Sequence, residues 1–372
     1  MQKVIIIIPT YNESENIRSI LDALQRVFLK IQNYEMGILV YDSNSPDKTA
    51  HIVRDYQTQH PNVYLVIEEK KSGLGNAYIQ SMQYAYKKLN ADIIFEFDAD
   101  GSHRPDYLPA MIKEFDHGAD VVVGSRYVKG GSIPKDWAPH RKLLSVFGNV
   151  ASRIVLHPKI KDYTSGFRGT RATFLKKIDL NNLRSKGYAY KIQLMWELHL
   201  LRANIVEFPI QFIDREKGNS KLPKNNAIES LWLIFYLRYR QLKRYLKVCL
   251  VGGIGITIQL MFFNLLRHFI HPAFANIISV EIAIISNFMI NNFFTFSDKA
   301  FKKSHPIKTR IKKFLQFNFF SLGSIAIQTS MIFLGGYFFG HAALKDNLYV
   351  LLGIGLGSIL NYKIYHHVVW KK

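Results

Sequence analysis

The chain has 372 residues, of which 48% are hydrophobic and 21% charged, with a formal net charge of +21. That length allows more than one domain, and such an excess of positive charge points to nucleic acid, an anionic membrane surface or a phosphate-bearing substrate. No zinc finger or RNA-binding signature is present, which sets nucleic acid aside as a partner, and a single cysteine, Cys249, excludes an intrachain disulfide and suits a reducing compartment.

Up to about Lys243, short β-branched runs alternate with helical patterns. Strands are predicted over residues 4–8, 37–41, 63–67, 93–97 and 121–124, and helices over 15–29, 48–57, 74–89 and 105–116. The run 4–8 is too short for a secretory signal and leads straight into Pro9. Continuous apolar strands separated by helices imply an α/β fold with a mainly parallel sheet covered on both faces. Ligands of such sheets bind beyond the carboxyl ends of the strands. The residues that follow each strand therefore carry the functional expectation: Pro9-Thr10-Tyr11-Asn12-Glu13, Asp42-Ser43-Asn44-Ser45-Pro46-Asp47, Asp98-Ala99-Asp100 and Ser125-Arg126.

Further along, Ile228, Leu231, Trp232, Phe235 and Tyr239 fall at helical spacing, with Arg238, Arg240, Lys243 and Arg244 beside them. An interfacial helix with a basic end fits this pattern, and so does a core-facing helix of the first domain. Four apolar stretches follow, about 248–266, 273–296, 314–339 and 348–367, each near the ~20 residues that a helix needs to cross a bilayer. They predict an all-α transmembrane domain of four helices and divide the chain into 1–219, 220–245 and 246–372. The loop 298–313 holds Lys299, Lys302, Lys303, Lys308, Arg310, Lys312 and Lys313, whereas the two short loops on the other side hold only Arg267 and Lys345. The positive-inside rule places the first domain, the basic loop and the Lys371-Lys372 tail on the cytoplasmic side of a multi-pass protein, as in a prokaryotic cell membrane. A short internal similarity relates Gly255-Ile256-Thr257-Ile258-Gln259 to Ser324-Ile325-Ala326-Ile327-Gln328, and Asn287-Phe288-Met289-Ile290 to Asn361-Tyr362-Lys363-Ile364, as a duplicated hairpin would. Glu281, Lys363, His366 and His367 lie in or near these stretches, where ionisable groups are functional candidates.

Asp98-Ala99-Asp100 is the sharpest chemical signal. Two carboxylates one residue apart at a strand end can hold a hard divalent cation; a solvated turn or a helix cap accounts for the same pair. The Asp-x-Asp-Gly-Ser string also resembles the nucleophile motif of haloacid-dehalogenase-like phosphatases, but the chain has no Gly-Asp pair to complete such a site.

Taken with Ile8-Pro9-Thr10-Tyr11-Asn12-Glu13, the aspartate turn at Asp42, Gly73-Leu74-Gly75, Gly124-Ser125-Arg126-Tyr127-Val128-Lys129-Gly130-Gly131, Arg141-Lys142, Ser165-Gly166-Phe167-Arg168 and Arg215-x-x-Gly218-x-Ser220-Lys221, the motif resembles those of family 2 inverting glycosyltransferases with a GT-A, Rossmann-like fold. Among these it is most similar to dolichyl-phosphate mannose synthases with a four-span membrane domain, and the last third resembles GtrA-like domains.

The resemblance implies transfer of mannose from GDP-mannose to a polyprenyl phosphate, with a UDP-sugar as the alternative donor. It implies that Pro9, Tyr11, Glu13, Asp42, Asp98, Ala99 and Asp100 line the nucleotide-sugar, and that Asp98, Asp100 and Ser102 hold Mg²⁺ or Mn²⁺. Arg126, Arg141, Ser145, Arg215 and Lys221 would hold the lipid phosphate, with Asp98, Asp100 and Arg126 as the catalytic set. The bilayer is the expected partner, and the membrane domain is a candidate surface for self-association. Two positions depart from the family turn: Ser43 stands where a second acid is usual, and Lys48 where glycine is usual.

The chemistry agrees. A phosphate monoester is already ionised at pH 7, so it attacks an anomeric carbon with little help from a base. The protein must orient two anions and offset their repulsion, for which arginine's planar fork is suited. Ordinary surface solvation is the other fate of Arg126, Arg141 and Arg215. Asp162, just upstream of Ser165, fits either a sugar contact or a helix cap. A processive polysaccharide synthase is disfavoured by the lack of a Gln-x-x-Arg-Trp element. A lipid translocator with an inactive sugar fold is disfavoured by the intact acid pair.

Overall fold

The run Val4–Ile8 has no exposed surface, and it alternates between two cores. Val4, Ile6 and Ile8 pack into one cluster of side chains, Ile5 and Ile7 into another. Side chains along a strand point to opposite faces, so a strand with both faces covered reads as an unbroken apolar run. In the computed structural model, which describes residues 1–134, 137, 139–213, 226–266, 268–270, 272–299, 307–340 and 343–364, this run is the middle of β1 (Gln2–Thr10).

The other strands are β2 (Tyr34–Asp42), β3 (Val63–Ile67), β4 (Ile93–Glu96), β5 (Val121–Ser125), β6 (Arg168–Arg171) and β7 (Ile205–Pro209). They form one seven-stranded sheet in the order β3-β2-β1-β4-β6-β5-β7. All neighbours are parallel except β6, which runs antiparallel to β4 and β5. Helices α1 (Ile17–Phe28), α2 (Thr49–Gln57), α3 (Leu74–Lys88) and α4 (Leu108–Asp116) connect the first five strands. They are followed by α5 (Pro139–Val155), α6 (Ala172–Leu175) and α7 (Tyr190–Leu200). Order along the sheet reverses at β1, whose neighbours are β2 and β4. A crevice opens where the connections part, above the carboxyl ends of those strands.

The five predicted strands and four predicted helices all occur. The fold is the expected mainly parallel, Rossmann-like GT-A sheet. Strand β7 was overlooked although it opens on Ile205-Val206, and β6 was not anticipated because Arg168-Gly169-Thr170-Arg171 lacks any β-branched run. Tertiary contacts hold it: Arg168 lies opposite Glu96 in register and bonds its carboxylate through Nε at 2.5 Å.

The chain divides into two compact units, Met1–Arg238 and Tyr239–Lys372, with the boundary inside α8 (Asn226–Leu266). Where the sequence suggested an interfacial helix and a separate first span, one continuous helix covers both. In its first part Leu233, Ile234 and Leu237 are buried, as the core-facing reading requires, while Ile228, Trp232 and Phe235 are exposed. Among the described residues, this helix is the one long and apolar enough to cross a membrane.

The second unit continues with α9 (Pro272–Ile290), a π-turn over Asn291–Thr295, α10 (Ile307–Phe339) and α11 (Ala343–Ile364). Val248, Ile284, Phe288, Phe296 and Phe317 pack together in it. Gly255 and Asn287, one from each repeated segment, are in close contact: a Cβ at Gly255 would stand 2.3 Å from the Asn287 amide. Glu281 accepts a hydrogen bond from Asn318 Nδ2 at 3.2 Å, which joins α9 to α10. His366, His367 and residues 300–306 of the basic loop lie outside the described residues.

Candidate active site

Strand register brings the first three motifs together. Thr10 and Asp42 are paired residues at the ends of β1 and β2. Thr10 Oγ1 donates to Asp42 Oδ2 at 2.8 Å, and Ser45 donates its N–H to Oδ1 at 2.8 Å and its hydroxyl to Oδ2 at 2.7 Å. Asp42 is thus fully buried and satisfied. It shapes the turn, while its neighbour Ser43 reaches the adjoining cavity. Lys48 adopts φ +68°, the left-handed conformation that accounts for the glycine usual at that place.

That first cavity, of about 360 Å³, is walled by Pro9, Tyr11, Glu13, Ser43, Lys71, Gly73, Leu74, Asp98, Ala99 and Asp100. The Lys71 ammonium stands 3.4 Å from the centre of the Tyr11 ring. Gly73-Leu74-Gly75 opens α3, and a Cβ at Gly75 would lie 2.6 Å from the Gly187 carbonyl. Its N–H bonds Lys186 O at 2.9 Å. The glycines therefore admit the chain segment 186–187, which forms another wall of the cavity.

Asp98 follows β4 after one residue, the buried Phe97. Its Oδ1 accepts a 2.5 Å hydrogen bond from Tyr78, and Oδ2 lies 3.5 Å from both Lys191 Nζ and His103 Nε2. The Asp98 N–H donates to His103 Nδ1 at 3.0 Å, and the imidazole stacks on Phe167. Burial pushes the Asp98 carboxyl up, but the Lys191 ammonium, His103 and the Tyr78 hydroxyl overcome it and hold the pKa at about 2. Burial lowers His103 despite the attraction of Asp98. For Lys191 the balance goes the other way: burial opposes its charge, yet Asp98 raises it above the usual lysine value. Asp98 still presents 27% of its side chain to the cavity. Asp100 Oδ1 accepts the Ser102 N–H at 3.1 Å. Gly166 leaves room for the Lys191 ammonium, which a Cβ at that position would displace.

Asp98, Asp100, Tyr188 and Lys191 also line a second cavity of about 430 Å³, together with Ser102, Arg126, Ser145, Leu144, Phe147 and Phe212. Arg126 follows β5. It donates from Nε and Nη2 to the two Asp162 oxygens at 2.8 Å each, and from Nη2 to Thr164 Oγ1 at 2.7 Å. Burial opposes the guanidinium charge, but Asp162 outweighs it and raises the pKa. Asp162 itself, pushed up by burial, is drawn below the usual range by Arg126. Asp162 is thus the anchor of Arg126, and Nη1 is left without a hydrogen bond among the described residues.

The structure brings Pro9, Tyr11, Glu13, Asp98, Ala99 and Asp100 to one cavity, and Asp98, Asp100, Ser102, Arg126 and Ser145 to the other. Asp42 lies beneath the first. Ser145 Oγ bonds the Tyr127 hydroxyl at 2.7 Å. Arg141 belongs to α5, but its side chain lies outside the described residues, as do Arg215 and Lys221 entirely. Sequence reasoning missed Lys191, Tyr78 and Tyr188, and gave no role to His103, which closes the Asp98-Ala99-Asp100-Gly101-Ser102-His103 motif. Lys191 carried no clear signal either: α7 mixes it with Gln193, Glu197 and His199, and only the fold shows that the lysine is buried.

Among the described residues no group of three or more His, Cys, Asp or Glu side chains could hold a metal. Asp98, Asp100 and Ser102 nonetheless supply oxygen donors on one short turn. That set fits Mg²⁺ or Mn²⁺, which binds through one or two carboxylates and takes further ligands from phosphate and water.

An acid pair at the switch point of a parallel sheet, shared by two cavities each with its own cationic side chains, is the arrangement of a glycosyltransferase. Residues 5–179 match the profile of glycosyl transferase family 2, and residues 247–370 match the GtrA/DPMS transmembrane domain. The chain is 36% identical over 234 residues to the polyprenol monophosphomannose synthase of Mycolicibacterium smegmatis, covering 63% of this chain and 86% of that one. It is 38% identical over 220 residues to the undecaprenyl-phosphate mannosyltransferase of Micrococcus luteus, covering 59% and 87%. With the dolichol-phosphate mannosyltransferase of Pyrococcus furiosus it shares 32% identity over 374 aligned positions, 99% of each chain. The chain belongs to glycosyltransferase family 2, as a member with a C-terminal GtrA/DPMS transmembrane domain.

Proposed function

We propose that this enzyme transfers mannose from GDP-mannose to a polyprenyl phosphate, with inversion at the anomeric carbon, on the cytoplasmic face of a membrane. The observation that carries this reading is the wall of Asp98, Asp100, Tyr188 and Lys191 common to both cavities. A donor in the first and a lipid phosphate in the second would meet there. The relatives' names supply mannose and the polyprenyl class of acceptor. Cytoplasmic placement rests on the basic loop 298–313, and multi-pass insertion on the four apolar stretches.

The nucleotide lies between Tyr11, Glu13 and the Asp42 turn, with its diphosphate toward Asp98 and Asp100. Asp98, Asp100 and Ser102 would hold Mg²⁺ or Mn²⁺, which when bound would neutralise charge on the diphosphate. Arg126, fixed by Asp162, offers Nη1 to the lipid phosphate, joined by Ser145 and Arg141 of α5 and, from a segment beyond those described, by Arg215 and Lys221. The acceptor oxygen attacks the anomeric carbon from the side opposite the diphosphate, and the nucleoside diphosphate leaves. No side chain has to remove a proton, because the phosphate is already ionised. His103, held neutral behind Asp98, serves to orient that carboxylate.

The full chain in lipid nanodiscs, given labelled GDP-mannose and undecaprenyl or dolichyl phosphate, forms a mannolipid that chelation abolishes. A glycolipid formed from a UDP-sugar and not from GDP-mannose would replace the donor assignment, and undiminished transfer after chelation would remove the cation.

A further inference from the structure

Residues 184–188 precede α7 and belong to no strand or helix. They nonetheless wall both cavities: Gly187 and Tyr188 face the first, and Tyr188 the second as well. A segment without regular hydrogen bonding keeps its place through the groups that satisfy it from outside. At the start of α3, Gly75 and Asn76 donate their N–H groups to Lys186 O at 2.9 and 3.3 Å. The Tyr188 hydroxyl donates to Thr164 O at 2.8 Å.

Further contacts come from the first turns of α8. Ser185 is buried; its hydroxyl donates to Glu229 Oε1 at 2.6 Å and accepts the Gly187 N–H at 3.2 Å. One serine thus carries the hold of Glu229 on to the cavity wall. The Arg184 guanidinium stands 4.3 Å from the centre of the Trp232 ring and 4.5 Å from that of Tyr236, and the two rings stack on each other. Positions 229, 232 and 236 share one side of the helix, whereas Ala227, Ser230 and Leu231, which line the second cavity, share another. Glu229 is the one acidic residue among the 41 of α8. An acid in a first turn also complements the helix dipole, but that role needs no partner.

We propose that Glu229 is a positioning residue for the donor: through Ser185 it fixes the 184–188 segment, and with it Gly187 and Tyr188, as a wall of the first cavity. Arg184, seated on Trp232 and Tyr236, holds the near end of the same segment. The helix that lines the acceptor cavity therefore also sets the shape of the donor cavity. That a nucleotide-sugar occupies the first cavity rests on the function proposed above; the hold of Glu229 on the segment does not.

The test uses the full chain in nanodiscs, with GDP-mannose varied at saturating undecaprenyl phosphate and then the reverse. Glu229→Ala should raise the donor KM about tenfold and leave kcat and the acceptor KM within about twofold, the pattern of a lost contact common to ground and transition states. Glu229→Gln keeps an oxygen for the Ser185 hydroxyl, and its donor KM should stay within about twofold of the parent chain's. A Gln variant as impaired as the Ala variant would mark a helix-dipole charge and overturn the proposal, as would equal rises in both KM values. Ser185→Ala cuts the same link from the other side, so combining it with Glu229→Ala should worsen the donor KM by no more than about twofold over the more impaired single variant; effects that multiply overturn the proposal. In a second arm, hydrogen exchange read by mass spectrometry without substrate should find the peptides holding Gly75-Asn76 and Gly187 exchanging about fivefold faster in Glu229→Ala but not in Glu229→Gln, with those of α1 unchanged. Unchanged exchange at these amides overturns the proposal, and so does faster exchange throughout the domain, which would mark general loosening. This arm needs no donor. If the parent chain makes no mannolipid, the reaction assignment fails and the exchange arm alone decides the hold of Glu229.

Discussion

The two cavities that meet at Asp98 are built differently. The first is assembled from backbone: loops at the ends of β1 and β2, the glycine-opened start of α3 and the 186–187 segment form its walls, and its buried carboxylate, Asp42, is spent on turn geometry. The second is assembled from long side chains on helices and loops, with an arginine clamped by its own carboxylate and an apolar lip. Strand-end loops suit a compact polar donor, whereas a lipid phosphate needs a fixed charge beside an apolar exit. Rigidity comes from register in one and from ion pairing in the other, so damage should spread differently through each.

The sharpest test of that contrast is the shared wall. Asp100→Ala is expected to lower kcat by about 10²–10³ with each substrate saturating, as loss of a main electrostatic contact does; product analysis of purified protein checks this, and a loss confined to one substrate's KM would separate the cavities. On the second side, Arg126→Ala strands the buried Asp162 and should cost about 3–5 kcal/mol of stability by denaturant titration. Adding Asp162→Asn restores much of that stability but not transfer. Recovery of transfer in the double variant would reduce Arg126 to a structural role.

On the first side, Tyr11→Ala should raise the donor KM about tenfold while leaving the acceptor KM within twofold, since it removes an aromatic wall and no buried pair. The pH dependence sharpens the shared wall again. Asp98 titrates at about 2 in the folded protein, below the ~3.9 of an unfolded aspartate, so its contribution to stability is complete above that unfolded value and disappears as pH falls through the folded one. Between these values the Tm of Asp98→Asn should fall less steeply than that of the parent chain. The smallest effect belongs to Lys48→Gly, which relieves a left-handed backbone and should add no more than about 1 kcal/mol by thermal melting.

Much of the first cavity was legible in the sequence because its parts are local. Pro9-Thr10-Tyr11-Asn12-Glu13 and Asp98-Ala99-Asp100 each sit at the end of a recognisable strand, and the parallel-sheet rule places strand ends together. Less of the second could be read. Its parts come from distant segments whose roles depend on partners: Arg126 is anchored by Asp162, which lies 36 residues away in sequence. Lys191, on α7, reaches Asp98 from 93 residues away in sequence, past Gly166, whose missing side chain leaves room for the ammonium.

Strand and helix periods, the acid pair and the apolar stretches were fixed by residue order, since each is a pattern within one element or one turn. That Glu229 meets Ser185, that Asp42 is consumed by its own turn, and that a lysine shares the wall with the acids were decided only by the tertiary structure. These depend on which groups are buried against one another, and burial is a property of the packed chain, set by contacts between residues that sequence alone leaves far apart.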